Sequence, residues 1–387
     1  MEIIFAIFVL VYCLLIVRFN YHWLQIPVFH PQPAKFSAQT PRVSVIIPVR
    51  NEAPHIVSLL HDLEQQRIRD EQLLPKKNWE VIVVDDSSED DTVALVQEFI
   101  NQKRLPLKLI SSDAHIGNRS PKKQAIWKGV QASQGDYIIT TDGDCRVGSY
   151  WLLTWFQFLE QNQPALVAGG VTFHQEESWF QQLQIVEFAS LIGMSAASIQ
   201  AGQPLTCNGA NLGFSREAFN EVGGYQGHWH VPSGDDEFLL HAIFKRFPEQ
   251  VFFLKSPTAV VKTYAKKTGA EFIQQRKRWV GKWKLHREAQ IVLLSLLVFA
   301  FHVCFLSGLV YFIGWAKLDY WLAGLLLLKI GVEWFFLKSV LRFLKKKGSL
   351  LNLLPLQLLY SAYFVLIGLI ASGGGYTWKD RKHHHHE

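Results

Sequence analysis

The 387-residue sequence predicts an α/β domain on a mostly parallel sheet, with membrane-spanning helices at both ends. Three observations carry this. Short β-branched runs alternate with helical patterns of roughly ten to fifteen residues through the middle of the chain, the signature of parallel strands joined by crossover helices. Long apolar stretches lie towards the two termini. The composition, 49% hydrophobic and 13% aromatic against 19% charged, excludes disorder and is richer in apolar side chains than a soluble domain needs.

Residues 3–17 are apolar throughout and are followed by Arg18. That is short for a span, which needs ~20 residues, unless residues 19–24 extend it. A signal peptide is the rival, but Glu2 gives no basic start and Arg18-Phe19-Asn20-Tyr21 is no small-residue cleavage site, so a retained anchor is expected. Residues 291–315, 320–337 and 350–371 are three further apolar stretches. Basic residues gather at Arg18, across 262–287 and at Lys338, Arg342, Lys345, Lys346 and Lys347, while the turn 316–319 is neutral. By the positive-inside rule the middle domain is cytoplasmic and the protein is multi-pass in the cell (cytoplasmic, inner) membrane. A full span by the last stretch would carry Lys379, Arg381 and Lys382 outside, so Pro355 is expected to break it into an interfacial or re-entrant piece. Lys329 and Glu333, one turn apart, read as a mutually neutralising pair, with an intramembrane functional charge as the rival. The resulting partition is an anchor at 1–24, the α/β domain at 41–262, a basic amphipathic segment at 263–290, a membrane region of two to three helices at 291–372 and a polar tail at 373–387.

Strands are predicted at 43–48, 81–84, 107–110 and 137–141, with a fifth at 165–171. Ligands of such sheets bind at the carboxyl ends of the strands. The residues there are acidic: Pro48-Val49-Arg50-Asn51-Glu52 after strand one, Asp85-Asp86-Ser87-Ser88 after strand two, Asp142-Gly143-Asp144 after strand four. No G-x-G-x-x-G follows strand one and no G-x-x-x-x-G-K-[ST] occurs, so the dinucleotide and P-loop readings lose their main support. Two carboxylates flanking one glycine can share Mg²⁺ or Mn²⁺, which in turn neutralises a diphosphate; taken alone, the triplet is as readily a turn. Cys13, Cys145, Cys207 and Cys304 are isolated, so neither a disulfide framework nor a zinc site is expected.

The ordered set of 43–52, 81–92, Lys122 to Gly129, Asp142-Gly143-Asp144, Gly234-Asp235-Asp236 and Gln275-Arg276-Lys277-Arg278-Trp279 resembles the family 2 glycosyltransferases, over about 43–283. Similar layouts occur in membrane-bound hyaluronan, chitin and cellulose synthase relatives and in ceramide-glucosyltransferase-like enzymes. The resemblance implies a GT-A fold, a Rossmann-like, mostly parallel sheet, and inverting, metal-dependent transfer of a hexosyl or N-acetylhexosaminyl group from a UDP-sugar. It assigns the nucleotide to Pro48, Arg50, Glu52, Asp85 and Asp86, one of the two aspartates accepting from uracil and the other capping a helix. The donor diphosphate falls to Lys122 or Lys123, although Pro121 stands where the family usually has glycine. Asp144 binds the metal, Asp142 the metal or the ribose. Asp236 is the base that takes the acceptor's proton, with Asp235 as its partner where the family usually has glutamate; the plainer reading is that both cap a helix. Gln275, Arg278 and Trp279 form Q-x-x-R-W, for diphosphate pairing and sugar stacking, or for an interfacial helix anchored by its indole.

The stretch 262–288 holds nine Lys/Arg against two Glu, a net +7 that exceeds the chain's +6. The basicity is therefore local and juxtamembrane, which removes the footing of a nucleic-acid reading. Asn208-Gly209-Ala210-Asn211 and Gly223-Gly224-Tyr225 look like turns beneath the acceptor, or simply turns. Residues 179–191 read as core or interface. The leading expectation is an inverting transferase acting on a lipid or lipid-linked glycan held at the bilayer. A processive polysaccharide synthase is the alternative, for which four spans are few unless the protein forms a homo-oligomer. A non-catalytic sugar-nucleotide-binding membrane protein is the alternative of another class.

Overall fold

The computed structural model describes residues 2–32, 40–69, 72–112, 119–174, 178–231, 233–281, 289–314, 320–371, 376–378 and 381–383. The turn 316–319, the end of the basic stretch at 282–288 and most of the tail lie outside them. In chain order the helices are α1 (Glu2–Gln25), α2 (Ile56–Glu64), α3 (Thr92–Asn101), α4 (Pro121–Ala132), α5 (Trp151–Asn162), α6 (Trp179–Gln200), α7 (Arg216–Glu221), α8 (Glu237–Arg246), α9 (Gly269–Val280), α10 (Ala289–Gly314), α11 (Tyr320–Phe343) and α12 (Leu353–Ala371). Two compact units result: a helical one of residues 1–25, 176–197 and 265–387, and a sheet one of 26–175 and 198–264.

The strands of the sheet unit are β1 (Val43–Val49), β2 (Arg67–Arg69), β3 (Gln72–Leu73), β4 (Trp79–Asp85), β5 (Leu107–Ser111), β6 (Tyr137–Thr140), β7 (Leu166–Gly169), β8 (Val171–Phe173), β9 (Leu212–Ser215), β10 (Val251–Leu254) and β11 (Val261–Thr263). Among the described residues seven of them form one sheet in the order β10-β7-β9-β6-β1-β4-β5. All neighbours are parallel except β9, which runs against both β6 and β7. β1 reads VSVIIPV and is buried except at Pro48, the near-continuous apolar run expected of a strand covered on both faces. Its register sets Val49 opposite Asp85, so β1 and β4 end side by side.

The first four expected strands are present. The fifth stretch divides: β7 stays in the main sheet, while β8 pairs with β11 in a separate two-stranded ribbon. β9 and β10 are the main sheet's additions. β9 is hard to read because it carries Gly213, where a Cβ would lie 2.5 Å from the Trp155 ring. Packing against α5, not strand propensity, selects that residue.

In the helical unit α1, α6, α10 and α11 are long and apolar enough to cross a membrane, and segments 347–357 and 359–370 do so together while meeting at 73°. The bend thus falls just past Pro355. Phe5, Val9 and Cys13 of α1 pack with Phe301, Phe305 and Phe312 of α10 and Leu322 of α11. Gly308 is required there, since a Cβ would sit 2.2 Å from the Phe5 ring. Lys329 donates to Glu333 Oε1 at 2.9 Å and to Gln357 Oε1 at 2.6 Å; Tyr12 donates to Glu333 at 2.7 Å, and Gln357 Nε2 completes the ring on Glu333. The two charges thus pair with each other, and Tyr12 of α1 and Gln357 of α12 take up further hydrogen bonds of the pair. α6, which begins with the stretch 179–191 read as core or interface, is mostly buried.

Candidate active site

Where β1 and β4 end, the chain turns through two residues in the left-handed region, Asn51 (φ 52°) and Ser87 (φ 56°). The two turns are knitted together. Arg50 Nη1 donates to the carbonyls of Asp86 (3.0 Å) and Ser87 (2.5 Å), and Nη2 to Glu89 at 2.7 Å. Asn51 N–H donates to Ser88 Oγ, Glu89 N–H to Asn51 Oδ1 and Glu52 N–H to Thr92 Oγ1. Asp85 accepts the Ser88 N–H on both oxygens, at 3.2 and 3.3 Å, and so helps to close the turn. Asp90 also caps: burial would raise its pKa, but hydrogen bonds from Thr92 and Ala53 outweigh that and hold it below the usual carboxylate value. Asp86 is buried at this edge.

Past β6, Asp142-Gly143-Asp144 packs its glycine against β1. A Cβ at Gly143 would lie 2.9 Å from both Glu52 Cγ and Val49 Cγ1, so the triplet is glycine-centred for steric reasons and Glu52 is placed next to it. Pro121, which departs from the family pattern, occupies the first turn of α4, where a missing N–H costs nothing. The two lysines after it separate sharply. Lys122 Nζ lies 2.7 Å from Asp142 Oδ1 and 3.4 Å from Asp235 Oδ2. Burial works against its charge, yet Asp142 and Asp235 overcome this and push its pKa up, so it stays protonated. Lys123 is fully buried and donates to the carbonyls of His228 (2.8 Å) and Val231 (2.9 Å), with Phe238's ring centroid at 5.0 Å. Its amine holds a loop.

The acid pair follows Gly234, whose φ of 78° needs glycine. Asp236 is the N-cap of α8: Oδ1 accepts the Glu237 N–H at 2.8 Å and Oδ2 the Gly209 N–H at 3.0 Å. Asp235 points to Lys122. The turn 208–211, read from sequence as lying beneath an acceptor or as simply a turn, donates the Gly209 N–H to Asp236 and so supports the acid pair. It is fastened by Asn211, which donates to the carbonyls of Gly170 and Ala259 and accepts from Trp151 Nε1. Burial, then Asp235 and Asp236, drive the Tyr225 hydroxyl well above its usual pKa and keep it neutral. Cys145 is likewise buried beside Asp144 and Asp142, so its thiol is held protonated and unreactive.

Among the described residues no three His, Cys, Asp or Glu side chains gather into a metal cage. Asp142 and Asp144 carry hard carboxylate oxygens, the donor type that Mg²⁺ and Mn²⁺ prefer. The ammonium resting on Asp142 shows that this carboxylate already attracts a cation. Gln275, Arg278 and Trp279 belong to α9 of the helical unit, where the Trp279 ring lies 4.2 Å from the Arg276 guanidinium and 6.0 Å from the Phe188 ring. Sequence reasoning passed over Arg276 and its partner Glu187; the signal was a charge inside the apolar pattern of α6.

Residues 44–223 match the family model described as glycosyl transferase family 2, and residues 137–371 that of glycosyl transferase family group 2. The poly(ribitol-phosphate) beta-glucosyltransferase of Bacillus spizizenii is 28% identical over 128 residues, 33% of this chain and 19% of that protein. The dolichyl-phosphate beta-glucosyltransferase ALG5D of Trichomonas vaginalis is 27% identical over 144 residues, 35% of this chain and 41% of that one. The chain thus spans less than half the length of either relative. The mannosyltransferase PcManGT of Pyrobaculum calidifontis, solved with GDP-Man and Mn²⁺, shares the fold with a TM-score of 0.59 at 20% identity, covering 94% of this chain and 98% of that one. With acidic strand ends on a GT-A sheet and a family model matching more than half of its length, the chain belongs to the family 2 glycosyltransferases.

Proposed function

We propose that the protein is an inverting transferase that moves a hexosyl or N-acetylhexosaminyl group from a UDP-sugar to a lipid or lipid-linked glycan at the cytoplasmic face of a membrane. One observation carries it: Lys122 bridges Asp142 of the D-x-D triplet and Asp235 of the acid pair, so diphosphate-binding and acceptor-activating groups share one cluster. Asp86, Arg50 and Glu52 hold the nucleoside. Lys122 swings from carboxylate to donor phosphate, a charge-assisted contact favoured by its permanent charge. Asp236 takes the acceptor hydroxyl's proton as the new bond to the anomeric carbon forms and the bond to the diphosphate oxygen breaks, the electron pair leaving with the nucleotide. Asp142 and Asp144 would hold Mg²⁺ or Mn²⁺, which when bound neutralises charge on the departing diphosphate.

The membrane-bound acceptor is supported by the apolar helices and by the ALG5D relative, named for a dolichyl-phosphate substrate. PcManGT holds GDP-Man, so GDP-sugars are the competing donors. The test is to incubate membranes bearing the protein with labelled UDP- and GDP-sugars and a divalent metal, then partition products between organic solvent and water. Label from a UDP-sugar in the organic phase is expected. No transfer and no donor hydrolysis with any sugar would return the protein to a binding role.

A further inference from the structure

Arg276 fills one of the two unspecified positions of Q-x-x-R-W, on a helix whose neighbouring charges are exposed or half-buried, yet it is only 2% exposed itself. A buried guanidinium persists only where its donors are met. Here they are. Nε donates to Glu187 Oε1 at 2.9 Å and Nη2 to Glu187 Oε2, a two-pronged pair with α6, while Nη1 donates to Gln275 Oε1 at 2.5 Å. Tyr363 of α12 donates its hydroxyl to Glu187 at 2.9 Å. The rings of Phe272 and Trp279, one turn to either side on α9, each lie 4.2 Å from the guanidinium carbon. Trp279 in turn rests near Phe188, the neighbour of Glu187 on α6. One buried cation therefore holds two residues of the motif, Gln275 by a hydrogen bond and Trp279 by its ring, and ties both to α6 and α12.

We propose that Arg276, fixed by Glu187 and Tyr363, is a positioning residue of the transfer reaction that sets the placement of Gln275 and Trp279. The proposal rests on reading Q-x-x-R-W as substrate-contacting. Its chemistry is specific to arginine, because only a planar fork can engage a carboxylate with two prongs, reach Gln275 and present a face to aromatic rings at once. Lysine keeps the charge and loses the plane.

The whole 387-residue chain in membranes tests it, with transfer to acceptor and donor hydrolysis to water measured side by side for Arg276→Lys, Glu187→Gln, Tyr363→Phe and Trp279→Phe. Small misplacements of substrate-contacting groups cost heavily, so Arg276→Lys and Glu187→Gln should each lower the transfer kcat by about tenfold or more, with donor KM and hydrolysis within about twofold. The double variant should be no worse than the poorer single, since both break one unit. Tyr363→Phe removes one hydroxyl, which guards against a variant that fails to fold, and should cost transfer several-fold at an unchanged melting temperature. Normal transfer by Arg276→Lys and Glu187→Gln while Trp279→Phe is impaired would overturn the positioning role and leave the motif's reading standing. Normal transfer by Trp279→Phe would overturn both. Transfer and hydrolysis falling together in proportion to folded protein would make Arg276 a stability residue only and overturn the proposal.

Discussion

Asp236→Asn separates catalysis from capping at one carboxylate. The carboxylate serves two backbone donors, Glu237 N–H at 2.8 Å and Gly209 N–H at 3.0 Å. An amide has one acceptor oxygen, so one of these N–H groups would face an NH₂ donor instead. An unsatisfied buried donor costs about 1–3 kcal/mol. In a sheet unit of this size, each kcal/mol lowers Tm by about 2–4 °C, so a fall of about 2–12 °C is expected. Loss of a general base costs on the order of 10²–10⁴ in rate, or about 2.7–5.4 kcal/mol of barrier. The two effects separate in assays of transfer run well below both melting midpoints, alongside thermal unfolding of the same preparations. The expected result is a modestly lowered Tm with transfer reduced by about 10² or more. A lowered Tm with transfer within tenfold of wild type would make Asp236 a cap alone. If Asp235→Asn is then the crippling change, the base is the residue beside Lys122, and the assignment is off by one.

Chelation should abolish transfer and added Mg²⁺ or Mn²⁺ restore it; full activity in excess chelator would remove Asp142 and Asp144 from metal binding. Lys122→Met should weaken donor binding by about 10- to 100-fold with little change in Tm, as expected for a charge-assisted phosphate contact. Lys123→Met should do the reverse, lowering Tm by stranding the carbonyls of His228 and Val231 while folded protein binds donor normally; binding titrations and melting curves of both variants decide. Burial pushes Lys255 down to about 8 from its ordinary 10.5, so between those values the unfolded chain holds a proton that the folded one has released. Stability should therefore gain from this residue as pH rises through that window, by at most about 1.4 kcal/mol per pH unit. Lys255→Met should remove that part of the slope in denaturant titrations from pH 8 to 10, and an unchanged slope would contradict the buried-amine account.

Alternating β-branched runs, apolar lengths sufficient to cross a bilayer, and carboxylates clustered at strand ends are local properties, and each was legible in the residues themselves. β1, β4 and the Asp142-Gly143-Asp144 triplet stand where periodicity and turn chemistry put them. The short strands β9 and β10 were not legible, because β9 exists through its antiparallel pairing with β6 and β7 and carries a glycine chosen by Trp155. Lys122 and Lys123 are equivalent on paper. Successive helical residues point about 100° apart, so the rotation of α4 against its neighbours alone decides that one amine meets Asp142 and Asp235 while the other is sealed on two carbonyls. The same holds for Arg276 and Glu187, 89 positions apart in sequence and joined by two hydrogen bonds. Residue type and spacing determine which chemistry is on offer, but a long-range contact depends on how separate elements pack, and only the folded chain sets which of two adjacent like charges turns inward.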